Sequence, residues 1–139
     1  MTSKARSDID TKIDQILSLK TWAIVGLSNN PDRAAFGVSK LLKERGHRIV
    51  PVHPNAEPVH GESAYKTLSE IPFPIDVVDC FVNSKLVGAV VDQAIEIGAK
   101  AVWLQLEVID EAAFQRAERA GLLAVMNRCP AIEYKKRAN

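Results

Sequence analysis

The sequence predicts an α/β protein built on a doubly wound, five-stranded parallel sheet with helices on both faces. Short runs of apolar residues alternate along the chain with segments of helical periodicity. The runs are apolar throughout, as expected for strands that are covered on both faces. Several helical segments end at a glycine, which is a common residue after the last helical turn. Strands that alternate with helices favour parallel pairing through right-handed crossovers.

The elements follow from these patterns in chain order. The predicted strands cover residues 22–27, 48–52, 76–82, 101–106 and 122–126. The predicted helices cover residues 8–19 with a cap near Ser7 or Asp8, a segment from Val38 that ends at Gly46, a segment from Leu86 to Ile95 before Gly98, and residues 111–120. The segment 53–74 contains four prolines and predicts a loop with one short helix near residues 67–71. We expect a single domain over residues 1–139, with flexible tails at 1–7 and 135–139.

Composition excludes several classes of protein. The chain has 18 basic and 17 acidic residues among 139, so its net charge of +1 gives no support for nucleic-acid binding. No apolar run approaches the length of a membrane span, and the first residues lack the apolar core of a signal peptide. Cys80 and Cys129 are too few for a disulfide framework. We therefore expect a cytoplasmic protein with no membrane or nucleic-acid partner.

The segment from Trp22 to Arg33 is the most informative part of the chain. An apolar strand ends at Gly26, a polar loop follows, and a helix then begins. This arrangement directs free backbone N–H groups and a helix N-terminus at one point, which suits a phosphate group. The loop matches neither Gly-x-Gly-x-x-Gly, because the next glycine is Gly37, nor a P-loop. The segment predicts a nucleotide-like ligand, and it disfavours the usual mode of NAD binding.

Ligands of open parallel sheets bind at the carboxyl ends of the strands, where strand order reverses. The candidate segments are therefore those that follow the strands, at residues 28–33, 53–55, 82–85, 105–107 and 127–129.

Most candidates in the first two segments have a structural as well as a functional interpretation. Ser28 and Asn29 either donate to a phosphate or satisfy the loop. Arg33 pairs with phosphate or remains a solvated surface residue. His53 stacks on a base, bonds a ribose or has no role, while His47 and His60 are predicted at the surface or in loops.

Candidates near the later strands are equally open. Gln105 is an amide among apolar residues and needs a partner, which is either a ligand or a loop carbonyl. Arg128 closes over the ligand or pairs with Asp79 or Glu107. Phe81 and Trp103 favour core packing.

Neither the paired acids nor the cysteines predict chemistry. Asp76 and Asp79 are expected to cap the strand start or meet a neighbouring loop rather than to catalyse. Cys129, next to Arg128, is expected to be buried and inert rather than a reactive thiolate. Cys80 is expected in the core.

Six motifs in order carry a resemblance to a known family. They are Val25-Gly-Leu-Ser-Asn-Asn-Pro-Asp-Arg33, Pro51-Val-His-Pro54, Gly61-Glu62, Asp76-Val-Val-Asp-Cys-Phe81, Val102-Trp-Leu-Gln105 and Asn127-Arg-Cys-Pro130. Together they resemble the stand-alone bacterial and archaeal CoA-binding proteins over residues 20–134. That family has the Rossmann-like fold also found at the N-terminus of the succinyl-CoA synthetase alpha-subunit.

The resemblance implies non-covalent binding of coenzyme A or an acyl-CoA. The loop 26–29 and Arg33 would hold phosphates, residues 52–55 would line the nucleotide, and residues 81–83 with Gln105 would border the pocket. The implied binding residues are Gly26, Leu27, Ser28, Asn29, Arg33, Val52, His53, Pro54, Asn55, Phe81, Val82, Asn83, Gln105 and Arg128.

Four positions depart from the family pattern. His53 replaces a common Asn, and Asn127 replaces a common Asp. Val82 stands where Arg is frequent, which removes one contact to the ligand. Glu107 stands where Gly is frequent and adds a negative charge near a pocket for an anion. The last two departures bear on affinity rather than on fold.

We expect a binding protein with no catalytic activity of its own and no metal. In the synthetase, by resemblance, chemistry depends on a phosphorylated histidine in a further domain and on a second subunit, so no ligase activity is expected here. Two alternatives stay open. An NAD(P)-binding enzyme or redox regulator would need an acidic residue after the second strand, where the chain has His53-Pro54-Asn55. A partner-binding module with a degenerated pocket is favoured by Val82 and Glu107.

Overall fold

A five-stranded parallel sheet organises the chain in the computed structural model, which describes residues 7–138. The strands are β1 (Thr21–Val25), β2 (Arg48–Val52), β3 (Val77–Cys80), β4 (Ala101–Leu104) and β5 (Leu123–Val125). They lie in the order β2-β1-β3-β4-β5. The helices are α1 (Asp8–Leu17), α2 (Ala34–Glu44), α3 (Ser84–Glu96), α4 (Glu111–Arg119) and α5 (Pro130–Arg137), with a 3₁₀ turn at Leu68–Glu70. The predicted Rossmann-like α/β class is confirmed.

Each face of the sheet has its own apolar core because successive side chains of a strand point to opposite faces. Val78 and Val102 point into the core that α3 and α4 cover. Trp22 and Trp103 point into the core that α1 and α2 cover, with partly buried residues of α5 packed against it. Since both faces are covered, the strands are buried almost throughout, which explains their unbroken apolar sequences.

Strand order reverses between β1 and β3. From β1 the chain crosses to β2 on one side, and it then returns to pair β3 on the other side of β1. The backbone N–H of Gly26 donates to the Val52 carbonyl (2.8 Å), and that of Phe81 donates to the Val25 carbonyl (2.9 Å). These bonds hold the carboxyl ends of β2, β1 and β3 together at the point where such sheets bind ligands.

The C-terminal segment differs from the prediction. A flexible tail was predicted at residues 135–139, but α5 extends from Pro130 to Arg137. Arg137 donates to Asp14 (2.6 Å) and to Glu133 (2.9 Å), and so joins α5 to α1. At the other end, Ser7 caps α1 by accepting from the Asp10 N–H (3.1 Å), as predicted. The remaining parts of the two predicted tails, residues 1–6 and 139, lie outside the described residues.

His47 lies in the loop between α2 and β2, one of its two predicted positions, but it is buried there and does not lie at the surface. Its ring nitrogens lie 2.8 Å from the Leu19 carbonyl oxygen and 2.5 Å from the Tyr134 hydroxyl. Burial lowers the pKa of His47 from its usual value. His60 is half-buried, with Nε2 3.0 Å from the Phe36 carbonyl oxygen. Both histidines therefore serve the packing of the fold.

Within residues 7–138, no helix has the length and apolar character needed to cross a membrane.

Candidate functional site

A cleft of about 770 Å³ opens at the carboxyl edge of the sheet. The ends of β1, β2, β3 and β4 line it, together with the first turn of α2 and one face of α3 from Leu86 to Gln93. Nine of the residues singled out from the sequence line it, namely Gly26, Ser28, Arg33, Val52, His53, Pro54, Phe81, Val82 and Gln105. Most of the binding residues predicted at the strand ends therefore share one cleft.

Gly26 directly follows β1 and lies against the backbone of Phe81, which follows β3. Its φ of +97° falls in the left-handed region, which L side chains rarely adopt. A Cβ at this position would lie 2.4 Å from the Phe81 carbonyl oxygen. Only glycine fits, so the backbone is left bare on the floor of the cleft.

The start of α2 offers a site for an anion. Arg33 is the N-cap residue, is exposed and makes no side-chain cap within the described structure, while Ala34 and Ala35 of the first turn line the cleft. The first N–H groups of a helix lack intrahelical acceptors and carry a partial positive charge. Together with the Arg33 guanidinium, they give this side of the cleft a positive potential.

Besides Arg128, four predicted binding residues lie outside the cleft lining and have structural roles. Leu27 is fully buried in the core. The Asn29 amide donates to the Pro58 carbonyl (2.6 Å), which corresponds to the loop interpretation. The backbone N–H of Asn55 donates to His53 (3.1 Å). Asn83 caps α3 by accepting from the N–H groups of Lys85 (2.9 Å) and Leu86 (3.1 Å).

Arg128 faces a separate depression beside α5. Its guanidinium lies 3.7 Å from the Glu133 carboxylate, so its ion-pair partner is neither Asp79 nor Glu107. Its carbonyl accepts a hydrogen bond from the Trp103 indole (2.9 Å). Arg128 thus fixes the start of α5 and does not line the main cleft.

Gln105 is a lining residue whose side chain has a buried polar atom without a hydrogen-bond partner. Its side chain is buried at the end of β4, and its Oε1 has no hydrogen-bond partner among residues 7–138. None of the described N–H or O–H groups donates to this oxygen. A buried amide oxygen without a donor is costly, and a ligand N–H would satisfy it.

Asp79 lies in the middle of β3 and not at its edge, so the predicted cap or loop contact was wrong. Both carboxylate oxygens are buried, without a partner in the described part of the chain. Burial raises the pKa of Asp79 well above its usual value and, together with this neighbouring aspartate, also raises the pKa of the Cys80 thiol. In contrast, Asp76 accepts from the backbone N–H of Thr21 at the start of β1 (3.0 Å), in line with the predicted cap of a strand start. Cys129 is buried, also as predicted.

Several of the residues that line the cleft were not predicted from the sequence. Lys66, Thr67 and Leu68 come from the proline-rich segment, in which Tyr65 forms a bridge to Val52. Leu86 and Val90 of α3 follow the helical spacing that also marks core residues, so the pattern alone gave no separate signal for them. Glu107 is exposed and is not part of the lining; its N–H donates to Asn127 Oδ1 (2.7 Å).

No group of three His, Cys, Asp or Glu side chains that could hold a metal occurs among the described residues.

Comparison with known proteins identifies the family. The family described as "CoA binding domain" matches residues 20–135, so the chain belongs to the CoA-binding domain family. The uncharacterized protein YneT of Bacillus subtilis is 36% identical over 110 residues, which cover 79% of this chain and 82% of YneT. The structure of a hypothetical protein from Pyrococcus horikoshii superimposes with a TM-score of 0.88 at 40% identity, over 97% of this chain and 98% of that one.

A longer relative contains a region similar to this chain. The alpha subunit of an ADP-forming acetate–CoA ligase II from Pyrococcus furiosus is 34% identical over 91 residues. The match covers 65% of this chain but only 20% of that subunit.

Proposed function

We propose that this chain binds coenzyme A non-covalently in the cleft at the carboxyl edge of the sheet. Family membership supports the class of ligand. The observation that carries the proposal is the junction of bare backbone at Gly26, the open first turn of α2 and the Arg33 side chain on one cleft. Each of these three features favours a phosphate group.

Electrostatic attraction for the ligand has to come from charged groups near the cleft. Coenzyme A carries a diphosphate and a 3′-phosphate, whereas the net charge of the chain is only +1. Arg33 and Lys66 are the two cationic residues that line the cleft. In this proposal, the diphosphate lies against residues 26–28 and the start of α2, and Arg33 neutralises it.

Gln105 supplies a point of recognition. Its unpartnered Oε1 accepts a hydrogen bond from the ligand, because the pantetheine arm offers two amide N–H groups and adenine offers an amino group. Binding then removes the cost of a buried unsatisfied oxygen, which rewards a ligand with a donor at this position.

Different residues bear on the two alternatives, an NAD(P)-binding protein and a partner-binding module with a degenerated pocket. The loop after β2 contains His53, Pro54 and Asn55, and therefore lacks the acidic residue that binds the ribose hydroxyls in NAD-binding proteins. A degenerated pocket is favoured by Val82, which lines the cleft where an arginine would contact an anion. Glu107 gives that alternative less support, because it lies outside the lining.

Calorimetric titration of Arg33→Ala with coenzyme A tests the proposal. A charge-assisted hydrogen bond contributes about 1.5–3 kcal/mol, so the dissociation constant should rise by about ten- to a hundredfold. The melting temperature of the free protein should change little, because Arg33 is exposed.

Arg119→Ala is the matched control. Arg119 is an exposed arginine in the last turn of α4, at the end of the molecule opposite the cleft, and its removal should leave the affinity unchanged. Wild-type protein should also bind coenzyme A more tightly than NAD. Equal effects of the two arginine substitutions would contradict the placement of the site, and absence of coenzyme A binding would favour the degenerated pocket.

A further inference from the structure

The cleft is polar over one half of the sheet edge. Strand order places β2 and β1 side by side, followed by β3 and β4. The lining over β2 and β1 includes Ser28, Arg33, His53, Lys66 and Thr67. Lys66 belongs to this half because the preceding Tyr65 bridges to Val52 at the end of β2. Both cationic lining residues are therefore on the β1–β2 side.

The other half of the cleft, over β3 and β4, is mainly apolar. Its lining includes Val82, Leu86, Val90, Leu106 and Val108, which we call the apolar wall, besides Phe81 and the two amides Gln93 and Gln105. Leu86 is 57% exposed and Leu106 is 45% exposed, although both are large hydrophobic side chains. Contiguous apolar surface left open to water is characteristic of a binding site.

The start of α3 gives the apolar wall no affinity for an anion. The Asn83 side chain already accepts from the N–H groups of Lys85 and Leu86, so the first turn of this helix is capped. In contrast, the first turn of α2 lacks such a cap. Leu86 and Val90 are four residues apart and share one face of α3, so they form a continuous apolar strip along the cleft.

We infer that the preferred ligand is an acyl thioester of coenzyme A whose acyl chain lies along the apolar wall. The inference rests on the proposed function. The distance from β2 to β4 is three strand spacings, about 14 Å, so one ligand with an anionic end and an apolar end spans both halves. Free coenzyme A ends in a thiol after two polar amides, and it would leave much of Leu86 and Leu106 in water. An acyl chain covers them.

Affinity for a series of thioesters tests the inference. Coenzyme A, acetyl-CoA, butanoyl-CoA and octanoyl-CoA are titrated into the wild-type protein by calorimetry. Burial of each additional methylene favours binding, so affinity should rise with chain length and reach at least about tenfold over free coenzyme A for octanoyl-CoA. If coenzyme A binds and octanoyl-CoA binds no more tightly, the inference is wrong and the proposed function stands. If coenzyme A itself does not bind, the proposed function fails as well.

Leu86→Gln locates the acyl chain. The substitution keeps a good helix former at an exposed position and removes apolar surface from the wall. The ratio of octanoyl-CoA to coenzyme A affinity should fall several-fold towards one. Ile109→Gln is the control, because Ile109 is 46% exposed but is not part of the cleft lining, and its ratio should equal that of the wild type.

Adenosine 3′,5′-bisphosphate separates the acyl chain from the nucleotide. This probe carries the nucleotide end of coenzyme A without the pantetheine arm. If Leu86→Gln weakens its binding as much as it weakens octanoyl-CoA binding, the apolar wall holds the adenine and the inference is overturned. A ratio that falls equally in Leu86→Gln and Ile109→Gln would also overturn it.

Discussion

Among residues 7–138, Asp79 is the one whose two side-chain oxygens are both buried without a hydrogen-bond partner. An isolated carboxylate in an apolar interior is costly, and the group responds by remaining protonated. Both of its oxygens are buried without a partner among the described residues, and burial raises its pKa well above the usual value. The folded protein therefore keeps a proton on Asp79 under conditions in which the unfolded chain releases it.

The free energy of unfolding should depend on pH through Asp79. The contribution of Asp79 to the free energy of unfolding is fully present below the unfolded pKa of about 3.8. As pH rises from there towards the raised folded pKa, this contribution falls by about 1.4 kcal/mol per pH unit. Asp79→Asn removes this titration. We expect the variant to gain stability relative to the wild type as pH increases from 4 to 8, as measured by urea unfolding at several pH values.

Asp76→Asn is the comparison for this experiment. Asp76 accepts from the Thr21 N–H and pairs with Lys100 at 3.6 Å, so its carboxylate has favourable contacts. This substitution should lower stability slightly at neutral pH, the opposite sign to Asp79→Asn. A loss of stability in Asp79→Asn that grows with pH would contradict the account.

Sequence patterns distinguish these two acids poorly. Both flank Val77 and Val78 in an apolar run, and the sequence suggested a cap or a loop contact for each. Asp76 makes such a contact, whereas Asp79 points into the core because of the register of β3 with Ile24 and Trp103. Register is a tertiary property, so a local pattern could not supply it.

The junction of β1, its loop and α2 is the element on which the site depends. Gly26 combines a φ of +97° with the close approach of the Phe81 carbonyl. A side chain at this position requires the β1 and β3 ends to separate, which alters both the fold and the cleft floor.

Gly26→Ala should lower the free energy of unfolding by more than about 2 kcal/mol, because it adds backbone strain to a clash with the Phe81 carbonyl. Gly37→Ala is the matched control. Gly37 is in α2, and none of the described atoms outside its own turn lies within 4 Å of a Cβ built there, so alanine should stabilise by about 0.5–1 kcal/mol. Chemical unfolding of both variants measures the difference, and equal effects would contradict the role assigned to Gly26.

Helix α5 shows where element prediction from sequence failed. Its signals were present in Pro130, a favourable first helical residue, and in the three basic residues of its last turn. The stretch Lys135-Lys136-Arg137 nevertheless resembles a solvated tail in sequence. Its order depends on the buried Glu133, whose carboxylate accepts from Arg137, and on the bond from Arg137 to Asp14 in α1. Such a long-range contact is not encoded in local periodicity.

At the scale of the molecule, strand alternation was sufficient to predict both the sheet and the edge that carries the cleft. Parallel strands covered on both faces have a simple sequence signature, and their carboxyl ends necessarily share one edge. The polar and apolar halves of that edge were not predictable. They depend on strand order and on Leu86 and Leu106, whose sequence context is the same as that of core residues.

A crystal structure of the protein with coenzyme A bound tests the central claim most directly. We expect the diphosphate within hydrogen-bond distance, about 3 Å, of the backbone N–H groups of residues 26–28 or of the Arg33 guanidinium. We also expect a ligand N–H on Gln105 Oε1. A diphosphate bound instead in the depression beside α5, against Arg128 and Lys136, would contradict it.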